Sequence, residues 1–270
     1  MALPDALFPP GETGERGEAS GSASARLLVT GPAGSGKSSL LMQYAYSLAA
    51  RGLTSLFVCS SPEMLAARPP ARPHLGSGAS ETEMLDRIKI KYVSTEHDLH
   101  ELLAALHLCA HPPHALLIDD LAELCTSASA ASDADLTSPR SAKAQGAASG
   151  RAAACVALAA HAADWIDAAH APPAEGAAGA VSEQRHPALL VACATPTPID
   201  TTLLSRWLPA RLDVAEQPSS ARCGYAADYW AGRPAEAPPW RLAYKHDGGG
   251  LALLAAEEQH APTPGPSLSI

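Results

Sequence analysis

The residues most able to do chemistry in this chain are consecutive. Gly31-Pro32-Ala33-Gly34-Ser35-Gly36-Lys37-Ser38, with Ser39 directly after, fits the pattern G-x-x-x-x-G-K-[ST]. Glycines at these places let the backbone curl until successive N–H groups converge on an anion. A helix starting at Lys37 adds its unpaired N–H groups and the positive end of its dipole. The lysine ammonium reaches outer phosphates, and the Ser38 hydroxyl can ligate Mg²⁺. The flanks match: Arg26–Thr30 is an apolar run of strand length, and Ser39–Ala49 has the apolar spacing of a helix. The expected chemistry is capture of a polyphosphate with Mg²⁺.

A second candidate lies downstream. Ala115-Leu116-Leu117-Ile118 runs straight into Asp119-Asp120, as a buried parallel strand with an acid at its C-terminal end would. In proteins with such a phosphate loop, that acid holds the Mg²⁺ water shell, so Asp119 is the expected metal acid. Asp120 has two readings, a catalytic acid or the cap of a helix beginning at Leu121. Glu63 is the other carboxylate placed to orient an attacking water.

Weaker signals surround these. His97, His100, His107, His111 and His114 cluster, and the spacing of His107 and His111 suits zinc ligands on one helix face. No carboxylate or cysteine evidently completes a set, and solvated or capping histidines are the alternative. Arg87, Lys89 and Lys91 would share one strand face, with Ile88 and Ile90 on the other. That strip reads either as a nucleic-acid contact or as a charged edge strand that deters aggregation. The cysteines, Cys59, Cys109, Cys125, Cys155, Cys193 and Cys223, form no C-x-x-C pair and are expected as buried free thiols.

Positioning these residues requires a sheet with helices between its strands. Further strands are expected at Thr54–Cys59, Leu85–Val93, Ala188–Ala194, Arg211–Ala215 and Trp240–His246. Asp247–Gly250 then turns into Leu251–Ala255 as a terminal hairpin. Helices are expected at Lys37–Arg51, Glu96–Ala110 behind a Ser94 or Thr95 cap, Ala152–Ala169 and Asp200–Trp207, with a short turn at Glu63–Ala67. Strands alternating with helices imply an α/β fold with a mainly parallel sheet and a C-terminal antiparallel hairpin. Residues 1–24, 126–150, 171–186 and 257–270 read as disordered lead-in, insertions and tail around a core at 25–256.

Whole-chain properties narrow the function. With 270 residues, 47% hydrophobic but only 4% aromatic, the core must be built from Leu, Val, Ile and Ala. A formal net charge of −9 argues against strong non-specific DNA binding by the chain alone. No signal peptide or membrane span is evident, and the acidic N-terminus disfavours a mitochondrial leader. A nuclear location is expected, with a cytoplasmic one as the alternative.

The order of elements resembles RecA and the Rad-type recombinases, most closely their short paralogues of the Shu complex, which pair with a SWIM-domain zinc protein. The matching stretches are the phosphate loop through Ser39, Arg87–Tyr92 leading to His97–Leu106, Leu116–Leu124, Leu189–Ala192, Leu203–Ala210 and Trp240–Gly248. The resemblance implies a RecA-like P-loop core that binds ATP and Mg²⁺, a role in homologous-recombination repair, and single-stranded DNA as a ligand. It also implies a SWIM-type zinc protein, a recombinase and its paralogues as partners. Arg87, Lys89, Lys91, Arg206 and Arg211 would be the phosphate-positioning contacts. Rad-type recombinases carry a catalytic glutamate just after the second strand, where this chain has Ser60-Ser61-Pro62 and reaches Glu63 two residues late. They end another strand in a polar amide, where this chain has Ala192-Cys193-Ala194. At most a slow ATPase is therefore expected. Residues 1–24 are too few for a separate DNA-binding domain, and Phe8-Pro9-Pro10-Gly11 lacks the Phe-x-x-Ala polymerisation motif. The alternative class is an independent P-loop ATPase or small-molecule kinase, which the scarcity of arginine in 126–150 disfavours.

Overall fold

Alternation along the strands builds two cores. In the first strand, β1 (Arg26–Gly31), Leu27 and Val29 join one apolar cluster and Leu28 joins the other. The same split divides Phe57 and Cys59 from Val58 in β2 (Ser55–Cys59). It divides Ala115 and Leu117 from Leu116 and Ile118 in β4 (Ala115–Ile118), and Leu190 and Ala192 from Leu189, Val191 and Cys193 in β5 (Leu189–Ala194). Strands covered on both faces carry continuous apolar runs, the mark of parallel sheets under helices.

The computed structural model describes residues 26–67, 81–126, 139–171, 188–197, 199–217, 224–231, 240–247 and 250–258. The other strands are β3 (Ile88–Tyr92), β6 (Ala210–Gln217), β7 (Gly224–Ala231), β8 (Trp240–Asp247) and β9 (Gly250–Glu258), and the sheet order is β3-β2-β4-β5-β1-β6-β7-β8-β9. Pairings from β3 through β6 are parallel, and those from β6 through β9 are antiparallel. The protein is thus α/β with a mainly parallel sheet that continues into an antiparallel run.

One sheet face carries α1 (Lys37–Ala50), whose Leu40, Leu41, Tyr44, Ala45 and Leu48 are buried. The short α2 (Pro62–Ala67) and α3 (Glu81–Asp86) contribute Leu65 and Met84 to this side. The other face carries α4 (Glu96–Ala105), α5 (Leu121–Thr126) and α6 (Pro139–Ala169). Thr95 caps α4 through a capping box with Asp98, and the bonds from Thr95 and from the Ser94 and Thr95 backbone hold the Asp98 carboxyl below its usual range.

Several expectations are corrected. Residues 139–150, expected as part of a disordered insertion, are helical: α6 has 31 residues and spans about 46 Å. Alanine makes such a stretch look low in complexity, yet it is the best helix former. Its lack of bulk lets Ala148, Ala152, Ala159 and Ala163 press closely against the sheet. Ala144–Ala169 is by length and composition apolar enough to cross a bilayer, as the core helix of a folded domain also can be, and its apolar side packs into the second cluster. Strand β7 was not anticipated; Gly224–Ala231 mixes Asp228 with alanines and tyrosines and gives a weak period-2 signal. The expected terminal hairpin is therefore the end of a four-strand antiparallel run, with β9 reaching Glu258. Leu85 and Asp86 belong to α3 rather than to a strand. Helix α4 stops at Ala105 and gives way to a 3-10 turn at Leu106–Leu108, and Asp200–Trp207 holds a 3-10 helix at Thr201–Arg206. Ile90 is 41% exposed because β3 is the outer strand, and Cys109 is exposed rather than buried. The lead-in 1–24, the insertion up to residue 138, residues 172–186, Cys223 and the tail beyond Glu258 lie outside the described residues.

Candidate phosphate-binding site

The loop between β1 and α1 has the shape its glycines permit. Gly34 and Gly36 adopt φ of 80° and 82°, where an L side chain is strained. Gly31 is required for a different reason: a Cβ there would lie 2.7 Å from the Val214 carbonyl oxygen and 2.8 Å from Ser35 Oγ. Strand β6 thus passes too close for any side chain. Gly36 occupies the cap position of α1 and offers no side-chain cap, so the first N–H groups of the helix keep no such partner. Pro32, Ala33 and Gly34 are exposed, and Ser39 is buried beneath them.

Lys37 folds back over the loop and donates through Nζ to the carbonyls of Gly31 at 3.0 Å and Pro32 at 2.8 Å. A buried ammonium is tolerated because it is hydrogen-bonded, and its head is held where an anion in the loop would meet it. The antiparallel part of the sheet also reaches the loop. Tyr244 on β8 donates its hydroxyl hydrogen to the Ser35 carbonyl at 3.2 Å in a buried contact. At the loop's base, Thr30 donates to Asp213 on β6, which also accepts from Arg211.

Asp119 stands directly after β4, with its N–H on the Val58 carbonyl at 2.8 Å. Strand β5 lies between β4 and β1, so the acid approaches the loop from two strands away at the same end of the sheet. The Ser38 hydroxyl donates to its carboxylate, as does the Asp120 N–H. Burial pushes the Asp119 carboxyl up to about 6, against the opposing pull of the Ser38 bond and Lys37 and with a further push from Asp120. Its Oδ1 and the Ser35 Oγ are buried with no hydrogen-bond partner among the described residues. Unpartnered buried oxygens beside a curled, N–H-rich loop fit a phosphate and a divalent cation. Ser38 and Asp119 are the residues that can hold the cation, and Gly31 through Ser39 those that can cradle the phosphates.

The remaining candidates divide. Asp120 sits at φ 52°, partly exposed, and its carbonyl accepts from the N–H groups of Glu123 at 3.0 Å and Leu124 at 3.3 Å. It therefore starts α5 through its backbone. Glu63 is exposed on α2. The carboxylate that meets the end of β2 is instead Glu123, which accepts from Ser60 Oγ at 3.3 Å. Sequence reading missed Glu123, Tyr244 and Asp213 because only tertiary packing brings them here. The apolar end of β5 is also near the loop: Cys193 is pushed up to about 11, chiefly by burial, and feels the charges of Asp120 and Lys37.

The basic candidates do not form one strip. Lys89 and Lys91 are exposed on the edge strand β3, and Arg87, just before it, reaches the Glu83 carbonyl at 3.5 Å. Arg206 is exposed and lies over the Trp207 ring at 5.9 Å. Arg211 on β6 is committed to Asp213 at 2.5 Å. Five strand spacings separate β3 from β6, about 24 Å.

The histidines scatter as well. His107 lies in the 3-10 turn and His111 beyond it, so they share no helix face. His97 pairs with Glu101, and His114 stacks on His170 at 3.8 Å. His100 alone meets a carboxylate and a thiol, those of Glu96 and Cys155.

A scan against models of known protein families finds no match for this chain. A search of curated proteins finds no match either.

Proposed function

We propose that the chain is an ATP-binding, RecA-like accessory protein of homologous-recombination repair. In this reading it is a recombinase paralogue that works with a SWIM-type zinc protein and single-stranded DNA. The observation that carries the nucleotide part is the meeting of the curled loop and Lys37 with Ser38 and the half-satisfied, buried Asp119. Gly31 through Ser39 would surround the phosphates, Lys37 would transfer from the loop carbonyls to them, and Ser38 and Asp119 would hold Mg²⁺. Bound Mg²⁺ would neutralise phosphate charge. The parallel half of the sheet, with the loop and the acid at one end, supports the RecA-like reading.

The repair role rests on the resemblance in element order. It is supported by exposed Lys89 and Lys91 on an open sheet edge, where a partner strand or a phosphate backbone can dock. A nuclear site of action follows from that role.

The test is thermal unfolding with Mg²⁺-ATP. At about a hundredfold excess over Kd the melting temperature should rise by about 5 °C or more. The Lys37→Ala variant should lose most of that shift. Equal shifts in both proteins would remove the loop from the account. Rapid turnover of a small-molecule phosphate acceptor, with no response to the SWIM-type partner, would establish the independent-enzyme reading instead.

A further inference from the structure

On the sheet face away from α1, α4 and α6 bring three metal-ligand side chains together, and α5 sets a fourth, Cys125, beside one of them. Glu96 and His100 stand one turn apart on α4, Cys125 is near the end of α5, and Cys155 is in the middle of α6. Ligand atoms of Glu96, His100 and Cys155 all lie within 4.8 Å of one another. Cys155 Sγ is 3.3 Å from His100 Nε2 and 3.9 Å from Cys125 Sγ.

We propose that Cys125, Cys155, His100 and Glu96 form a structural zinc site that ties α4, α5 and α6 together. Zinc–sulfur and zinc–nitrogen bonds of about 2.3 Å and 2.05 Å at a tetrahedral angle place two sulfurs about 3.8 Å apart, and a sulfur and a nitrogen about 3.6 Å apart. The Cys125–Cys155 separation of 3.9 Å lies close to the first value and the Cys155–His100 separation of 3.3 Å a little inside the second, while Cys125 stands outside the Glu96–His100–Cys155 group and would close on it as the ion binds. Two soft sulfurs with an imidazole select zinc over Mg²⁺ or Ca²⁺. Both thiols are buried, while Glu96 and His100 are partly exposed and offer a way in.

Arg151 completes the arrangement. Its Nε lies 3.1 Å from Glu96 Oε2, and Nε and Nη2 donate to the Cys125 carbonyl at 3.0 and 2.7 Å. It therefore orients one ligand by its carboxylate and another by its backbone, as outer-shell groups of metal sites do. Charge also balances. Zn²⁺ with two thiolates and one carboxylate carries one net negative charge, which the Arg151 guanidinium offsets. Binding would send the two thiol protons to solvent and use His100 neutral, through Nε2. With Cys125 drawn in from beside Cys155, four protein ligands leave no open position, so the site is structural. It does not depend on the nucleotide reading, because it uses other residues on other elements.

The experiment is metal analysis of the purified full-length chain after gel filtration, followed by replacement with Co²⁺. One equivalent of zinc per chain is expected, and the cobalt form should show the thiolate charge-transfer band and intense visible bands of a tetrahedral centre. Both should vanish in Cys125→Ser/Cys155→Ser and weaken strongly in His100→Gln and Glu96→Gln, the last two at partly exposed positions where the fold should persist. Both should survive in Cys109→Ser and Lys37→Ala. Removing zinc with a chelator should lower the melting temperature by several degrees. Zinc well below one equivalent after growth with added zinc would overturn the site. So would a cobalt spectrum without the charge-transfer band, a Cys125–Cys155 disulfide in freshly purified chain, or His100→Gln binding zinc as tightly as wild type.

Discussion

The Ser38 hydroxyl donates to the Asp119 carboxylate, joining the first turn of α1 to the end of β4. That bond favours the ionised acid, yet burial outweighs it and the carboxyl titrates at about 6. The folded value lies above the unfolded one, so the folded chain holds the extra proton between about pH 4 and pH 6. Stability should therefore fall as pH rises through that window. Above it the ionised, half-satisfied acid costs the nucleotide-free protein about 3 kcal/mol. Asp119→Asn should be more stable than wild type at pH 7.5, by about 1–3 kcal/mol, and should lose the Mg²⁺-dependent part of nucleotide stabilisation. Urea unfolding at pH 5 and pH 7.5 checks this, and a variant less stable than wild type at pH 7.5 would contradict it.

Hydrolysis should be slow. No carboxylate follows β2 directly, Glu63 is exposed on α2, and Asp120 starts α5 through its backbone carbonyl, with its carboxylate partly exposed. Turnover should stay well under the enzyme median of about 10 s⁻¹, with or without single-stranded DNA. Glu123 is the carboxylate bonded at the end of β2, so Glu123→Gln should remove more of any residual rate than Glu63→Gln does. A phosphate-release assay on the two variants ranks them.

Tyr244 reaches the loop from the antiparallel half of the sheet. Tyr244→Phe keeps the ring and removes one buried hydrogen bond, so stability should drop by about 1 kcal/mol. Nucleotide affinity should weaken as well, because the Ser35 carbonyl loses its tether. Calorimetric titration beside thermal unfolding separates the two effects. A loss of stability with unchanged affinity would confine Tyr244 to a packing role.

DNA contacts should concentrate at the β3 edge. Lys89 and Lys91 are exposed there, whereas Arg211 is spent on Asp213. On the proposed function, Lys89→Glu with Lys91→Glu should weaken single-stranded DNA binding by the chain with the proposed SWIM-type partner and flatten its salt dependence by about two phosphate contacts. Arg211→Gln should disturb stability more than DNA binding. Fluorescence anisotropy across a salt series distinguishes the two.

Local demands on the backbone made part of this molecule legible from residues alone. The loop glycines answer to φ and close approach at their own positions, and Asp119 is flagged by four apolar residues in a row. Ser94 and Thr95 both announced a cap ahead of Glu96, and the fold gives it to Thr95 with Asp98. The residues that escaped notice answer to distant partners. Nothing near Tyr244 in the chain points to Ser35, and nothing near Cys155 points to His100. Alanine misled in a different way: in 139–150 it reads as filler, but in the fold it sets how closely α6 can approach the sheet. The basic residues were countable in the sequence, while their separation by four intervening strands was not.

The place of β1 has a consequence for how the protein is made. Its strand neighbours are β5 and β6, with Arg26 opposite Leu189 and Leu27 opposite Ala210. On the ribosome β1 is made well before β5 and β6 and waits for both neighbours until β2, β3, β4 and the helices between have been synthesised. The loop after β1 can close only at the end of that wait, so chains stalled or truncated before β6 should lack its curled shape and carry an unpaired, strongly apolar strand for chaperones to guard.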